Sequence, residues 1–420
     1  MEKKEKLVDK FLAVAMKIQN NFYLKAISDG FAALVPLIMV GAIFAVIDSL
    51  GIPAYQNFLE RIGIKELLKF PNLVTNGMLS IYVAFSIAYS LAKSYKLDEF
   101  MSGFVSIMGF MLLQAYGTGK DGSPTISMNA LGAEGIFTAI IVSIIVVECT
   151  RFLIKHNVYI KMPAGVPEMV ERSFKALTTV ALVMVLLFAI KLIFSFTSIE
   201  TFPNLITMIV QTPLKALGSS WISFVIIILV VNLLWFFGIH GHLVALSVML
   251  PVYMQMDLEN LAAYQAGEAL PNIFGNSYIY VYSSGACVLA GFVFWLWRAK
   301  TKRYQTIAKL SFVPMIFGIG EPLAFGVPYV FNFILFIPVV FSGVINALLA
   351  YIATVIGILP RLNGVSINGL PVVVNGFLTG GYRVALFQIF LCVINILMWS
   401  VFVKKLDQIE QKKEKEQEAA

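Results

Sequence analysis

The chain has 420 residues, 59% of them hydrophobic and 13% charged, with a formal net charge of +7 and a mean hydropathy of +0.84. Such a composition excludes an ordinary soluble domain and places the protein in a lipid bilayer. In a membrane protein an excess of Lys and Arg sets orientation, so the positive charge calls for no nucleic-acid partner.

The first thirty residues, Met1–Gly30, are charged and amphipathic and lack a small-residue cleavage site, so no cleavable signal peptide is expected. Uncharged runs of roughly 20 residues then predict about ten transmembrane spans. These lie at 31–50, 72–93, 99–117, 133–154, 174–197, 221–239, 240–256, 273–297, 331–358 and 382–403. The runs are long and do not alternate in polarity, which favours α-helices over an outer-membrane barrel, so the fold class is all-α integral membrane. Cys149, Cys287 and Cys392 each lie inside an apolar run without ligand or CxxC spacing and read as structural thiols.

Basic residues cluster before the first span, at Lys93 and Lys96, in Arg151–Lys175, in Arg298–Lys309 and after Lys404. Ten spans place all of these on one side with both termini in the cytoplasm. The stretch 198–220, interrupted by Pro203 and Pro213, is less apolar than its neighbours and reads as an amphipathic interfacial linker. Four segments follow: a five-helix bundle over 1–197, the linker over 198–220, a second bundle over 221–404 and a charged tail over 405–420 that reads as a solvated or frayed helical end. Neither a P-loop nor a separate soluble domain is present in these residues, so a phosphate donor would be another polypeptide.

Two stretches of the second bundle are too rich in helix breakers to be plain spans. SFVPMIFGIGEPLAFGVPYVFN (311–332) holds Pro314, Gly318, Gly320, Pro322, Gly326 and Pro328, and PRLNGVSINGLPVVVNGFLTGGYR (360–383) is the other. Unwound backbone at membrane depth needs protein or a water-filled cavity around it, so both are predicted re-entrant hairpins lining a site. Glu321 stands in the centre of the first. A carboxylate there either accepts hydrogen bonds from a ligand or caps the broken helix ends, and the ligand reading is preferred. In FFGIHGH, His240 and His242 sit among glycines where two spans meet. An imidazole titrates near neutrality, so His240 could accept a hydroxyl proton; the alternative for both is helix capping. One residue between the histidines and no further ligand at metal spacing argue against zinc, and no metal or cofactor is expected. Asn272, Asn332, Asn363, Asn368 and Asn375 are amides suited to hydroxyl recognition or to structural bonding. The basic loop YIKMPAGVPEMVERSFKAL (159–177) is either a docking surface for a soluble partner or an orientation-setting loop.

Five segments, in order, carry a resemblance: YLKAISDGFAALVPLIMVGAIF, LGAEGIFTAIIV, IKMPAGVPEMVERSF, LLWFFGIHGH and GEPLAFGVP. With them the chain resembles the IIC components of the lactose, cellobiose and diacetylchitobiose family of bacterial phosphotransferase systems. The resemblance implies a homodimer joined through the first bundle, with a disaccharide held by the second. It implies soluble IIB and IIA partners, and transfer of a phosphoryl group from the IIB cysteine to the sugar 6-hydroxyl, with no covalent intermediate on this chain. The subunit would not be catalytic alone. By match to GIHG and GEP, His240 and Glu321 would be the sugar-binding pair, and His242, Asn272 and Asn332 are candidate pocket residues. The chain departs from the family pattern at Gly318 and Gly320, where asparagines are common. It also departs at Phe333, where a proline is usual, and before Pro371, where an aromatic residue and threonines are missing. Two rival functions remain open: an ion-coupled sugar symporter, which would want paired membrane acids, and a transport-inactive sugar sensor.

Overall fold

The computed structural model of the chain describes residues 13–18, 20–49, 53–161, 163, 166–283, 285–327, 329–367 and 369–418. Helix dominates, as it must where no water is available to backbone groups. Among the described residues the only strands are β1 (Gly117–Thr118) and β2 (Pro124–Thr125), an antiparallel pair with Gly117 opposite Thr125. Two compact units divide the chain, Met1–Ala216 and Leu217–Ala420.

In the first unit α1 (Phe22–Ser49), α2 (Leu79–Ser94), α3 (Glu99–Leu113), α4 (Ile136–Lys155) and α5 (Glu168–Ser195) form the bundle, with α2 packed against α1, α3 and α4. Lipid tails are as apolar as leucine, so small residues and polar bridges hold such helices together. At Gly30 of α1 a Cβ would stand 2.7 Å from Ile87 Cγ1 and 3.1 Å from the Ile87 nitrogen, which is how closely α1 and α2 approach. Ser143 Oγ of α4 lies 2.9 Å from the Ala84 carbonyl of α2 and 3.1 Å from Ser106 Oγ of α3. Lys191, a cation inside an apolar helix, donates to the carbonyls of Leu112 at 2.7 Å and Gln114 at 3.0 Å. Its ammonium thereby satisfies the open carbonyl end of α3. Glu148 and Arg151 form an ion pair at 3.3 Å, and Tyr23 donates to the same carboxylate at 2.9 Å.

The second unit contains α6 (Trp221–Phe236), α7 (Ser247–Ala266), α8 (Ala286–Trp297), α9 (Lys302–Ile316), α10 (Glu321–Gly326), α11 (Phe336–Val355) and α12 (Val374–Glu418). Helices α8 and α12 cross at Gly291, where a Cβ would overlap the Asn395 carbonyl. Phe292 stacks on Trp399 beside the crossing, with ring centroids 4.4 Å apart. A short helix (Asn276–Tyr278) and a π-helical turn (Ile279–Ser283) lead into α8, and Gly381 (φ 76°) kinks α12.

Seven described stretches are long and apolar enough to cross a bilayer: Phe22–Ser49, Lys69–Ser94, Ala133–Lys155, Phe174–Ser195, Asn276–Trp297, Phe336–Val355 and Val374–Glu416. The protein is therefore a multi-pass, all-α membrane protein. Three of the predicted spans take shorter or broken forms. Helix α3 stops after 15 residues because Gln114 turns to an extended conformation. Helix α6 stops after 16 at a left-handed Gly238. The 240–256 run begins in a π-helical turn (His242–Leu246) and continues in α7 past Asp257. Over 198–220 the chain is helical at Phe202–Ile206 and Thr212–Ser219 with a π-helical turn between; Pro203 lies in the first turn, where a missing N–H costs nothing, and Pro213 directly follows the π-helical turn. Helix α12 continues through the tail to Glu418, with most of its described residues exposed and Leu406 and Asp407 buried.

Candidate functional site

Helices α6 and α9 end in the same way, and the sequence repeats accordingly. Each terminates in Phe-Gly-Ile, with the glycine in the left-handed region: Gly238 at φ 78° and Gly318 at φ 80°. The Gly238 N–H donates to the Trp235 carbonyl at 3.0 Å and the Ile239 N–H to that of Leu234 at 2.9 Å. At the second end, Gly318 donates to Met315 at 2.8 Å and Ile319 to Pro314 at 3.0 Å. This paired pattern satisfies the last carbonyls of a helix and turns the chain sharply, and a glycine adopts it without steric cost. Just beyond the two turns stand His240 and, after Gly320, Glu321.

The Glu321 carboxylate and the His240 imidazole lie within electrostatic range of each other. Glu321 is exposed at the first turn of α10, whose Leu323 and Ala324 N–H groups donate to the Gly320 carbonyl at 3.1 and 3.0 Å. His240 is half-buried. The segment after α10 fastens the assembly. Phe331 donates its N–H to the Phe236 carbonyl at 3.0 Å, and the Phe236 ring packs edge-on against Phe333 and Phe336 at 5.5 and 4.9 Å. Phe331 adopts φ 55°, a left-handed conformation that costs a side-chain-bearing residue about 1–2 kcal/mol. Gly241 packs so closely on the Val231 carbonyl that no Cβ would fit.

His242 has a different surrounding from His240. Its Nδ1 accepts from the Trp235 indole N–H at 3.0 Å, which puts the proton of the neutral ring on Nε2. The Trp235 ring also lies against His240, centroids 4.4 Å apart. One indole thus orients one histidine and walls the other.

The candidate asparagines are spread more widely. Asn332 forms a local turn, its Oδ1 accepting from the Ile334 N–H at 3.1 Å, in the segment that fastens α6. Asn272 lies in a buried network: its amide donates to Glu259 at 2.8 Å and to the Met256 carbonyl at 3.0 Å. Its N–H reaches Asn260 Oδ1 at 2.9 Å. Asn363 spends its amide on the Leu378 carbonyl at 2.9 Å, and Asn375 is buried at the start of α12. Asn368 lies outside the described residues. Among the described residues, no cluster of three His, Cys, Asp or Glu side chains is placed to hold a metal ion.

Residues not singled out from the sequence support the second broken segment and the 276–283 turn. Gln388 Oε1 accepts from the Val373 and Gly376 N–H groups at 2.8 and 3.0 Å, while its Nε2 donates to the Val281 carbonyl at 2.9 Å. Asp257 is buried and accepts from the N–H and hydroxyl of Ser277 at 2.8 and 2.6 Å, pinning the entry to the 276–283 turn. An acid inside an apolar run, Met-Asp-Leu, was a visible signal for Asp257. Trp235, five residues before His240, was another.

Sequence comparison supplies the decisive observation: residues 28–343 match the family described as Phosphotransferase system, EIIC. The chain belongs to that family. It is 31% identical to the oligo-beta-mannoside-specific EIIC component of Bacillus subtilis (strain 168), over 98% of this chain and 96% of the relative. It is 32% identical to the cellobiose-specific EIIC component of Geobacillus stearothermophilus, over 90% of this chain and 88% of the other. The crystal structure of ChbC, the IIC component of the N,N'-diacetylchitobiose-specific phosphotransferase system, superposes with a TM-score of 0.91 at 30% identity, covering 96% of this chain and 98% of that one.

Proposed function

We propose that this EIIC protein is the sugar-translocating subunit of a phosphoenolpyruvate-dependent phosphotransferase system. It binds a β-linked disaccharide of the cellobiose, chitobiose or lactose type and presents the 6-hydroxyl to phosphorylated IIB, which IIA recharges. The observation that carries the reading is the convergence of His240 and Glu321 beyond two matched helix ends. A carboxylate accepts from two sugar hydroxyls at once, and charge-assisted bonds of this kind are the stronger class. His240, facing the same space, takes the proton from the 6-hydroxyl as its oxygen attacks the phosphoryl group on the IIB cysteine; the P–S bond breaks and the thiolate leaves. Positioning supplies most of the acceleration, because phosphoryl transfer asks mainly for in-line geometry. Both termini lie in the cytoplasm, the basic 159–177 loop faces IIB, and the first bundle joins two copies in a homodimer.

The test is uptake of radiolabelled cellobiose, lactose and diacetylchitobiose into vesicles, with and without phosphoenolpyruvate and the soluble phosphotransferase proteins. Sugar recovered inside as its 6-phosphate only with the complete relay supports the proposal. Free sugar accumulating on an imposed ion gradient would establish a symporter, and binding without uptake a sensor.

A further inference from the structure

We propose that Arg303, held by Glu410 of the C-terminal helix, is a positioning residue for the helix that carries Glu321. The proposal rests on the sugar-binding role given to Glu321. Helix α10 has six residues, far fewer than a helix needs to persist by itself, so its neighbours must define it. At its far end the Gly326 carbonyl accepts from Arg303 Nη2 at 3.4 Å. The other arm of the same guanidinium, Nη1, lies 3.3 Å from Glu410 Oε1 on α12. A cation at the carbonyl end of a helix opposes its partial negative charge, and only the planar fork of arginine addresses two acceptors from fixed directions.

The rest of the arrangement makes α12 a firm anchor. Asp407, one turn before Glu410, is 7% exposed. Its two oxygens accept from the Lys300 and Thr301 N–H groups at 2.9 and 3.0 Å, immediately before α9 begins. Gln411 donates to the same carboxylate at 2.8 Å. Ile307, one turn beyond Arg303 on α9, closes on Gly326, where a Cβ would stand 3.0 Å from its Cγ2. The start of α9 is thus fastened to α12, and Arg303 passes that anchorage to the end of α10 opposite Glu321. Through this contact the charged tail sets how firmly the carboxylate is held.

Amide hydrogen exchange on the full chain in lipid nanodiscs tests this without sugar. Arg303→Met is expected to speed exchange at Ala324 and Val327 about fivefold, and Glu410→Gln by less, the sizes expected of a partly exposed contact. The double variant should exchange no faster than Arg303→Met, because Glu410 acts through Arg303, and Arg303→Lys should recover part of the protection. Unchanged exchange in Arg303→Met, or additive effects in the double variant, overturns the proposal. Amides of α2 report general unfolding. If Arg303→Met unfolds the protein, Glu410→Gln decides alone: faster exchange confined to α10 supports the latch and unchanged exchange overturns it. A second readout is the affinity for whichever of cellobiose and diacetylchitobiose is transported. It should fall in Arg303→Met but not when Glu321→Gln is already present. If Glu321→Gln itself binds that sugar normally, the role of Glu321 fails while the exchange data still judge the latch.

Discussion

Replacing Trp235 by phenylalanine separates the two things its indole does. The ring of phenylalanine still covers His240, whose centroid lies 4.4 Å from that of the indole, but the donor to His242 Nδ1 at 3.0 Å is gone. An acceptor left without its donor in a half-buried place costs about 1–3 kcal/mol. If half of that appears as looser placement of the two imidazoles, phosphoryl transfer slows about two- to twelvefold, since a factor of ten corresponds to about 1.4 kcal/mol. Sugar affinity, which the proposed function assigns to Glu321, should change less than about twofold, within the scatter of a lost neutral contact. The assay is the initial rate of sugar 6-phosphate formation by proteoliposomes supplied with phosphorylated IIB, alongside calorimetric titration of the sugar. Trp235→Ala, which also uncovers His240, should be slower again. A phenylalanine variant with the wild-type rate would refute the positioning role of the indole, and equal losses in rate and affinity would make Trp235 a binding residue.

Three other substitutions probe the same site. Glu321→Gln exchanges charge-assisted bonds for neutral ones and should weaken sugar binding about tenfold or more in the same titration; normal affinity would remove Glu321 from the pocket. His240→Ala should depress phosphoryl transfer more than binding, and an equal loss in both would leave it no part in proton transfer. Gly318→Asn should fold with a melting temperature only slightly reduced, at about 1 kcal/mol, whereas Gly318→Val should be severely destabilised, because asparagine tolerates φ near 80° and a β-branched residue does not. Equal melting temperatures for the two variants would show that the left-handed turn is not what the glycine provides.

The fold class was legible because bilayer thickness imposes a length and a polarity that sequence displays directly. Legible too were the two broken segments, since glycine and proline announce helix ends, and the position of Glu321 within the first of them, since a lone acid in an apolar run announces itself. Span lengths were less so: α3 and α6 end where Gln114 and Gly238 change conformation, and hydropathy alone runs on past both. Long-range contacts were not legible at all. Gln388, Asp407 and Arg303 look like ordinary polar residues near helix ends, and their partners lie about a hundred positions away in the chain: Val281 for Gln388, Lys300 for Asp407 and Glu410 for Arg303. The asparagines show the opposite difficulty. Their chemistry suited a sugar, and Asn272 and Asn363 have their amide donors engaged by protein carbonyls and a carboxylate.

The departure at Gly318 has a physical reading that the backbone supplies. An asparagine at position 318 would have to adopt the same left-handed turn, and asparagine is among the few side chains that accept one. Glycine makes the turn without offering a carboxamide there. There is room for a Cβ on Gly318, which would stand 3.6 Å from the Gly285 Cα, an ordinary contact. Gly320 is different. Its φ of −101° needs no glycine, and a Cβ there would press to 3.0 Å on Leu289 Cδ1 of α8. The two glycines thus act on separate properties of the site, one on the polar groups offered to a ligand and the other on the packing of α8 against the Glu321 turn. Restoring asparagine at Gly318 should alter which sugar is preferred while leaving the fold in place, whereas the same change at Gly320 must first displace Leu289.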